Sequence, residues 1–171
     1  IRSVKNRHSF TDLLDEMNEP TVPALVVNGV EEACDFADMV GYPVIVRPAY
    51  TPDRESAEYC YDRESLAVKA EKSLEASIVS QILIEKSIAG WKEIEFEVIR
   101  DSVGNVIAVC SMENLDPVGI HTGDSIVVAP AVTLSAKEYQ MLRNASLSII
   151  DSLGIVGGCN CQFALDPKSF E

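Results

Sequence analysis

An α+β (mixed α/β) fold, antiparallel sheets with flanking helices, follows from three features of the 171-residue sequence. Residues 92–101, KEIEFEVIRD, alternate strictly: Ile94, Phe96 and Val98 face one way and Glu93, Glu95 and Glu97 the other, the period of a strand. The neighbouring run 105–113, NVIAVCSME, follows across Ser102–Asn105, and Gly104-Asn105 supplies the turn of a hairpin. Segments of helical period stand before and after this hairpin. Neither GxGxxG nor GxxxxGK[ST] occurs, so no Rossmann or P-loop site is supported.

In chain order, Ser9 opens the first helical pattern with Asp12 as a weak capping-box partner. Phe10, Leu13, Leu14 and Met17 mark its buried face, and Pro20 stops it. Residues 21–28, TVPALVVN, read as a short strand with Pro23 at an edge or end. Asn28 can cap the next helix, VEEACDFADMV, whose Glu31 and Glu32 suit the positive end of the dipole. Gly41 suits its left-handed exit. VIVRPAY is then a nearly continuous apolar run, hence a central strand expected to be buried on both faces. It carries Arg47, which reads either as a ligand contact or as half of a structural ion pair.

Residues 51–63, TPDRESAEYCYDR, are polar and irregular. A helix from about Glu64 to Leu74 follows, then the strand candidate SQILIEKSI and the hairpin. Ser135 and Glu138 form an S-x-x-E box opening a long helix on Leu142, Ala145, Ile149 and Leu153, ended by Gly154. CNCQFAL is the last strand. It sets Asn160 and Gln162 on one face, where buried amides would need hydrogen bonds or something to coordinate. The three glutamates at 93, 95 and 97 read as a solvated face, with a cation or ribose contact by one of them as the alternative.

A net charge of −13 opposes a nucleic-acid or anionic-membrane surface, which needs clustered Lys and Arg. An apolar share of 47% fits a globular protein, and no run approaches the roughly 18 residues of a membrane span. The five cysteines lack CxxC spacing and read as reduced and buried, so an intracellular protein is expected. His8 and His121 have no Cys or His partner at ligand spacing, which argues against zinc. The start at Ile1 without Met and the stop at Glu171 suggest an excised piece.

The chemistry concentrates between the apolar runs 106–110 and 126–128. The insert ENLDPVGIHTGDS holds Glu113, Asp116, Asp124, His121, Thr122 and Ser125. A plain hairpin needs two to five turn residues, and loops held by strands are where sites usually sit. An ordinary polar surface loop is the alternative.

GWKEIEFEVIRD, CSMENLDPVGIHTGDSIVVAPAVTL and LGIVGGCNCQFAL closely resemble the large chain of carbamoyl-phosphate synthetase, in its first, bicarbonate-activating ATP-grasp unit. RPAY and the Arg7 region extend the likeness to essentially the whole chain. QILIEKSIAGWKEIE and GIVGGCN look more like the eukaryotic multifunctional enzymes than the bacterial ones. The resemblance implies an ATP-grasp fold: a helical lead-in (1–20), a small lobe (21–90) with a divergent phosphate loop at 51–62, and an incomplete large lobe (91–171). It implies a ligase that binds ATP with Mg²⁺ or Mn²⁺ and phosphorylates bicarbonate to carboxyphosphate. Its partners would be a glutaminase subunit or domain and the second ATP-grasp half, with no nucleic acid and no membrane. Carried over by position, Arg7 and Arg47 would contact phosphates and Glu93 the ribose hydroxyls. Lys86 and Ile88 would line the adenine pocket, Lys86 standing where bacterial members have a glutamate. Gly119, Ile120 and His121 would lie beside nucleotide and bicarbonate, Gln162 would ligate metal, and Asn160 would lie on the same catalytic surface with His121.

Two departures accompany the likeness. After RPAY the family has a GGxGxG hairpin around the triphosphate, whereas here PDRESAE removes the glycines and adds Asp53, Glu55 and Glu58. Each carboxylate within a few Å of polyphosphate would cost on the order of 1 kcal/mol. The family's next strand carries an E-x-N-x-R motif, which the chain stops short of. The isolated piece is therefore expected to be inactive, and a non-catalytic ATP-grasp-like module for subunit contact or weak nucleotide binding is the alternative. The pathway would be pyrimidine or arginine synthesis, in the cytoplasm or alternatively the mitochondrial matrix. ENLDPVGIHTG leans to the pyrimidine type.

Overall fold

The computed structural model describes residues 7–49, 57–116, 118 and 126–169, with side chains from residue 10. The chain divides into two compact units, residues 22–87 and residues 1–21 with 88–171. Each has its own antiparallel four-stranded sheet and its own core.

In the first unit the elements are β1 (Ala24–Val27), α2 (Val30–Val40), β2 (Val44–Pro48), β3 (Glu58–Cys60), α3 (Arg63–Ala76) and β4 (Ile82–Lys86), after a helix α1 (Arg7–Glu16) that belongs to the other unit. The sheet order is β1-β4-β2-β3. Val27, Val44, Val46, Ile82 and Ile84 turn one face of it to Ala33, Ala37, Leu66 and Ala70 of the helices, all 0–1% exposed. Arg63 ties the start of α3 to α2 through Asp38, Glu31 (2.8 Å) and Asp35 (3.3 Å).

Three expectations change here. β2 is central, but both helices of this unit lie on one side of it: among the described residues Val44, Val46 and Pro48 are buried while Ile45 and Arg47 are half-buried. The cap of α2 is Gly29 and not Asn28; the Asn28 amide instead meets the Glu32 carboxylate at 3.5 Å, which reaches back from the first turn. The stretch read as irregular contains β3, whose Tyr59 and Cys60 pair with Ile45 and Val44. Residues 50–56 lie outside the described residues.

In the second unit, β5 (Lys92–Arg100), β6 (Val106–Asn114), β7 (Val127–Val128), α4 (Ala136–Leu153) and β8 (Gly157–Leu165) follow α1. The order β7-β6-β5-β8 makes β5 a central strand with β6 and β8 on its two edges. α4 lies across one face, packing Leu142 and Ile150 on Ile94, Phe96, Val98 and Cys161. Phe96 meets Phe163 edge-on at 6.3 Å and Tyr139 at 5.5 Å. Ser9, expected to cap α1, lies inside it, and Ser costs little within a first turn. No described helix is long and apolar enough to cross a membrane.

α4 opens on the capping box read from the sequence. Ser135 accepts from the Glu138 amide at 3.3 Å and Glu138 from the Ser135 amide at 2.6 Å. Ser135→Ala is expected to cost about 1 kcal/mol. Thermal melts of the variant check this, and an unchanged midpoint would mean the box contributes nothing to α4. The 101–105 turn is held by Asp101, whose carboxylate accepts from the Val103 and Asn105 amides and from Asn105 Nδ2. Gly104 there has φ +95°, which its lack of Cβ permits.

Candidate functional site: an acid–amide face on one sheet

Alternation sets the polar face. Because Ile94, Phe96 and Val98 point to α4, Glu93, Glu95 and Glu97 must point away from it. Antiparallel register then places Ala164, Gln162 and Asn160 of β8 beside them on one edge, and Asn114, Met112 and Cys110 of β6 on the other. Three carboxylates and three amides meet on one surface.

The burial on this face inverts the sequence expectation. The carboxylates are not a solvated row: Glu95 is only 6% exposed and Glu93 and Glu97 are half-buried. Asn160 and Gln162, expected to be buried, are exposed, because β8 is an edge strand. The amides cover the acid. Gln162 Nε2 donates to Glu95 Oε1 at 3.0 Å, and Asn160 Nδ2 donates to Glu95 Oε2 at 2.9 Å and to Glu97 Oε1 at 3.0 Å.

Glu93 has a carboxyl pKa above its ordinary value, chiefly from burial and next from the neighbouring Glu95 charge. Asn114, opposite it on β6, favours the charged form. Yet neither Asn114 Oδ1 nor Nδ2 has a partner with hydrogen-bond geometry, although the residue is 6% exposed. Leaving a buried polar group unpaired costs about 1–3 kcal/mol. A raised carboxyl pKa removes stability as pH rises from the unfolded value through the folded one. Glu93→Gln is therefore expected to raise the melting temperature by about 2 °C at pH 7 and not at pH 3. Equal shifts at both pH values would contradict this.

Glu113 and Asp116 brace the described ends of the insert. Glu113 is the penultimate residue of β6, and its carboxylate accepts from the Val132 and Thr133 amides, both at 3.0 Å, and from Thr133 Oγ1. Lys92 Nζ supports the same threonine at 2.8 Å. Asp116 accepts from the Ile126 amide at 3.2 Å, and the Leu115 amide donates to the Ile126 carbonyl at 2.9 Å, closing the base of the insert. These two acids, part of the cluster that made the insert look chemical, hold its ends. Gly119, Ile120 and His121 lie outside the described residues, as do Thr122, Asp124 and Ser125. The Arg7 side chain does too, although α1 includes its backbone.

In the residue 22–87 unit, Arg47 and Lys86 fall on opposite faces of the sheet. Arg47 shares the face away from the helices with Glu85, and its Nε meets Glu85 Oε2 at 3.4 Å. Lys86 sits opposite Val44 on the helix side, and its Nζ donates to the Gly41 and Tyr42 carbonyls at 2.8 and 3.3 Å. A cation there suits the negative end of α2. Ile88 is half-buried at the start of the other unit, where its carbonyl accepts from the Trp91 amide.

Among the described residues no group of three or more His, Cys, Asp or Glu side chains could hold a metal ion. The oxygens of the acid–amide face nevertheless suit a hard cation. A carboxylate only accepts, so Gln162 and Asn160 must turn their NH₂ groups to Glu95, and their carbonyl oxygens are not used in that contact. Mg²⁺ is ordinarily bound by a few such oxygens together with phosphates and water, not by an all-protein cage.

The chain matches the family model of the carbamoyl-phosphate synthase L chain, ATP binding domain, over residues 6–171. It is 54% identical over its whole length to a carbamoyl phosphate synthase large chain of Clostridium botulinum (strain Eklund 17B / Type B) and 53% identical to that of Clostridium beijerinckii. It spans 16% of the length of each. These relatives are bacterial, whereas the sequence phrases leaned to the eukaryotic type. Among solved structures it resembles the biotin carboxylase domain of a thermophilic 2-oxoglutarate carboxylase bound to bicarbonate, with TM-score 0.79 at 22% identity, covering 98% of this chain and 37% of that one. It also resembles the Campylobacter jejuni biotin carboxylase in complex with β-γ-ATP, with TM-score 0.73 at 22% identity over 95% and 37% of the two chains. At such identity the likeness speaks for the fold alone, and that fold is ATP-grasp. With a family match that takes in both sheets and the acid–amide face, the chain belongs to the carbamoyl-phosphate synthase L chain, ATP-binding domain family.

Proposed function

We propose that this chain is the ATP-binding part of a carbamoyl-phosphate synthase large chain and that the parent ligase phosphorylates bicarbonate to carboxyphosphate there. The observation that carries the reading is the acid–amide face in a chain of this family. Glu93 accepts from the ribose hydroxyls, donors that favour the charged form of a half-buried carboxylate. Arg7 and Arg47 take phosphate oxygens, Arg47 by exchanging Glu85 for the nucleotide. Lys86 and Ile88 line the adenine side. Gly119, Ile120 and His121 lie beside nucleotide and bicarbonate, with Asn160 on the same surface. Gln162 would hold Mg²⁺ or Mn²⁺, and the ion would neutralise charge on the transferring phosphoryl group. A bicarbonate oxygen bonds to the γ-phosphorus as the bond to the β-bridging oxygen breaks, and ADP leaves. Ammonia from a glutaminase partner would then attack the carboxyl carbon of carboxyphosphate, the C–O bond to the phosphorus-bearing oxygen breaking and inorganic phosphate leaving, to give carbamate for the second ATP-grasp half to phosphorylate. The compartment we propose is the cytoplasm, with the mitochondrial matrix as the alternative.

The 171-residue chain alone is proposed to turn over ATP very slowly, because its phosphate loop is acidic and glycine-free. ADP release measured with and without bicarbonate tests this, and fast bicarbonate-dependent release would contradict it. Replacing PDRESAE with a GGxGxG-type loop is expected to tighten Mg-ATP binding at least tenfold by calorimetry, about 1.4 kcal/mol. No gain would mean the loop is not what weakens the site.

A second reading is favoured by the cations of the residue 22–87 unit. Arg47 is paired with Glu85 and the Lys86 amine is committed to the end of α2. On this reading the chain is a non-catalytic ATP-grasp-like module for subunit contact or weak nucleotide binding. Calorimetry on the full-length parent with this loop discriminates: absent Mg-ATP binding favours the module and tight binding the catalytic reading.

A further inference from the structure

We propose that Glu95 is the positioning residue of the acid–amide face: it fixes the rotation of the Gln162 and Asn160 amides so that two carbonyl oxygens are presented to a cation carried by polyphosphate. The inference rests on the nucleotide reading above and names a residue that reading leaves without a role. Glu95 is 6% exposed and lies mid-strand in β5, so it is too enclosed to be a surface charge. Both of its oxygens are taken, Oε1 by Gln162 Nε2 at 3.0 Å and Oε2 by Asn160 Nδ2 at 2.9 Å. Asn160 Nδ2 also reaches Glu97 Oε1 at 3.0 Å, so that amide is held by two carboxylates.

A primary amide is nearly symmetric in shape and is free to present either end to solvent. What decides the end is the partner beneath it. A carboxylate accepts and never donates, so it pins the NH₂ group inward and the C=O outward. For a cation ligand this matters, since an amide turned the other way offers hydrogens to a positive charge. Supporting groups of this kind commonly change metal affinity 10- to 100-fold when removed.

A second observation on the same face points to a polar ligand. Asn114, in register with Glu93, is 94% buried, and among the described residues neither of its side-chain polar atoms has a partner with hydrogen-bond geometry. Its amide is a donor and acceptor set beside the Glu93 carboxylate, whose charged form it favours. The face is built to receive oxygen-bearing groups, and Glu95 sets the polarity of its rim.

Glu95→Gln tests the proposal because it keeps the shape and removes the acceptor-only rule. Two readouts separate the layers. The first needs no metal: the side-chain ¹H–¹⁵N resonances of Gln162 and Asn160 in the ligand-free chain. They are expected to be displaced from free-amide positions in the native chain and to collapse towards them in the variant. Resonances at free-amide positions in the native chain, or unmoved by the substitution, would overturn the proposal. The second is Mn²⁺ binding in the presence of ATP, followed by electron paramagnetic resonance, where Glu95→Gln is expected to weaken Mn²⁺ at least tenfold. The reversed pair, Glu95→Gln with Gln162→Glu, is expected to recover most of that loss, because it again leaves an oxygen outward. A Glu95→Gln chain that binds Mn²⁺ like the native one would overturn the proposal. If the native chain binds no Mn²⁺ with ATP, the nucleotide reading and the cation both fail, and displaced native amide resonances then show only that Glu95 orders the rim.

Discussion

Phe96→Ala is expected to lower the stability of the sheet that carries the acid–amide face by about 3–5 kcal/mol, the largest effect of any single substitution considered for this chain. Phe96 is fully buried at the centre of the β5–α4 packing, in edge contact with Phe163 and tilted contact with Tyr139. Removing its ring leaves a cavity lined by residues from three elements, which cannot all close in. Domains of this size are stable by only about 5–15 kcal/mol, so the loss is a large fraction of the total. The chain has one tryptophan, Trp91, just before β5, and its fluorescence follows this unit. A urea midpoint lower by roughly 2 M is expected. Ile107→Ala, 58% exposed on β6, serves as the control and is expected to change stability by less than about 0.5 kcal/mol. Similar losses in both variants would mean that Phe96 is not the centre of the core.

Glu113→Ala is the second large effect, about 3 kcal/mol, and it falls on stability before it falls on ligand binding. Three donors, two backbone amides and the Thr133 hydroxyl, lose their acceptor at once. Burial pushes this carboxyl up, but the bonds from Thr133 and Val132, with the Lys92 charge, outweigh it and hold the pKa below its ordinary 4.5. The contribution is therefore fully present above the unfolded pKa and is lost as pH falls through the lower, folded value. The native chain is expected to lose more stability than Glu113→Ala between pH 5 and pH 3. Parallel pH profiles for the two proteins would contradict the strut assignment.

Glu113 shows where sequence reading stops. The regular elements were legible because their signals are local: strict alternation in KEIEFEVIRD, the Ser135–Glu138 box, Gly154 at an exit. Their registers imply which faces share a surface. Which polar residues on that surface are buried depends on neighbours distant in sequence, and that was not legible. Glu93, Glu95 and Glu97 look alike in the string, and only the pairing with β8 covers the middle one. Asn160 and Gln162 seemed to need burial, but the edge position of β8 exposes them and makes Glu95 the residue that needs partners. Arg47 in the string gives no hint of its neighbour Glu85, 38 positions along the chain, which sheet pairing alone brings to 3.4 Å from it. Asn114 stayed hidden because nothing in ENLDP distinguishes a satisfied amide from an orphaned one. The residues carried over by resemblance gained placement where the structure describes them. For Gly119, Ile120 and His121 they gained none.

Nucleotide and cation are proposed to meet the chain at the acid–amide face. A ¹H–¹⁵N titration of the 171-residue chain with millimolar Mg-ATP tests it directly, because weak binding still moves resonances. Saturable shifts are expected at Glu93, Glu95, Asn114, Asn160 and Gln162, reduced at least tenfold in apparent affinity by Glu93→Ala. Shifts confined to other parts of the chain, or the same affinity in that variant, would contradict it.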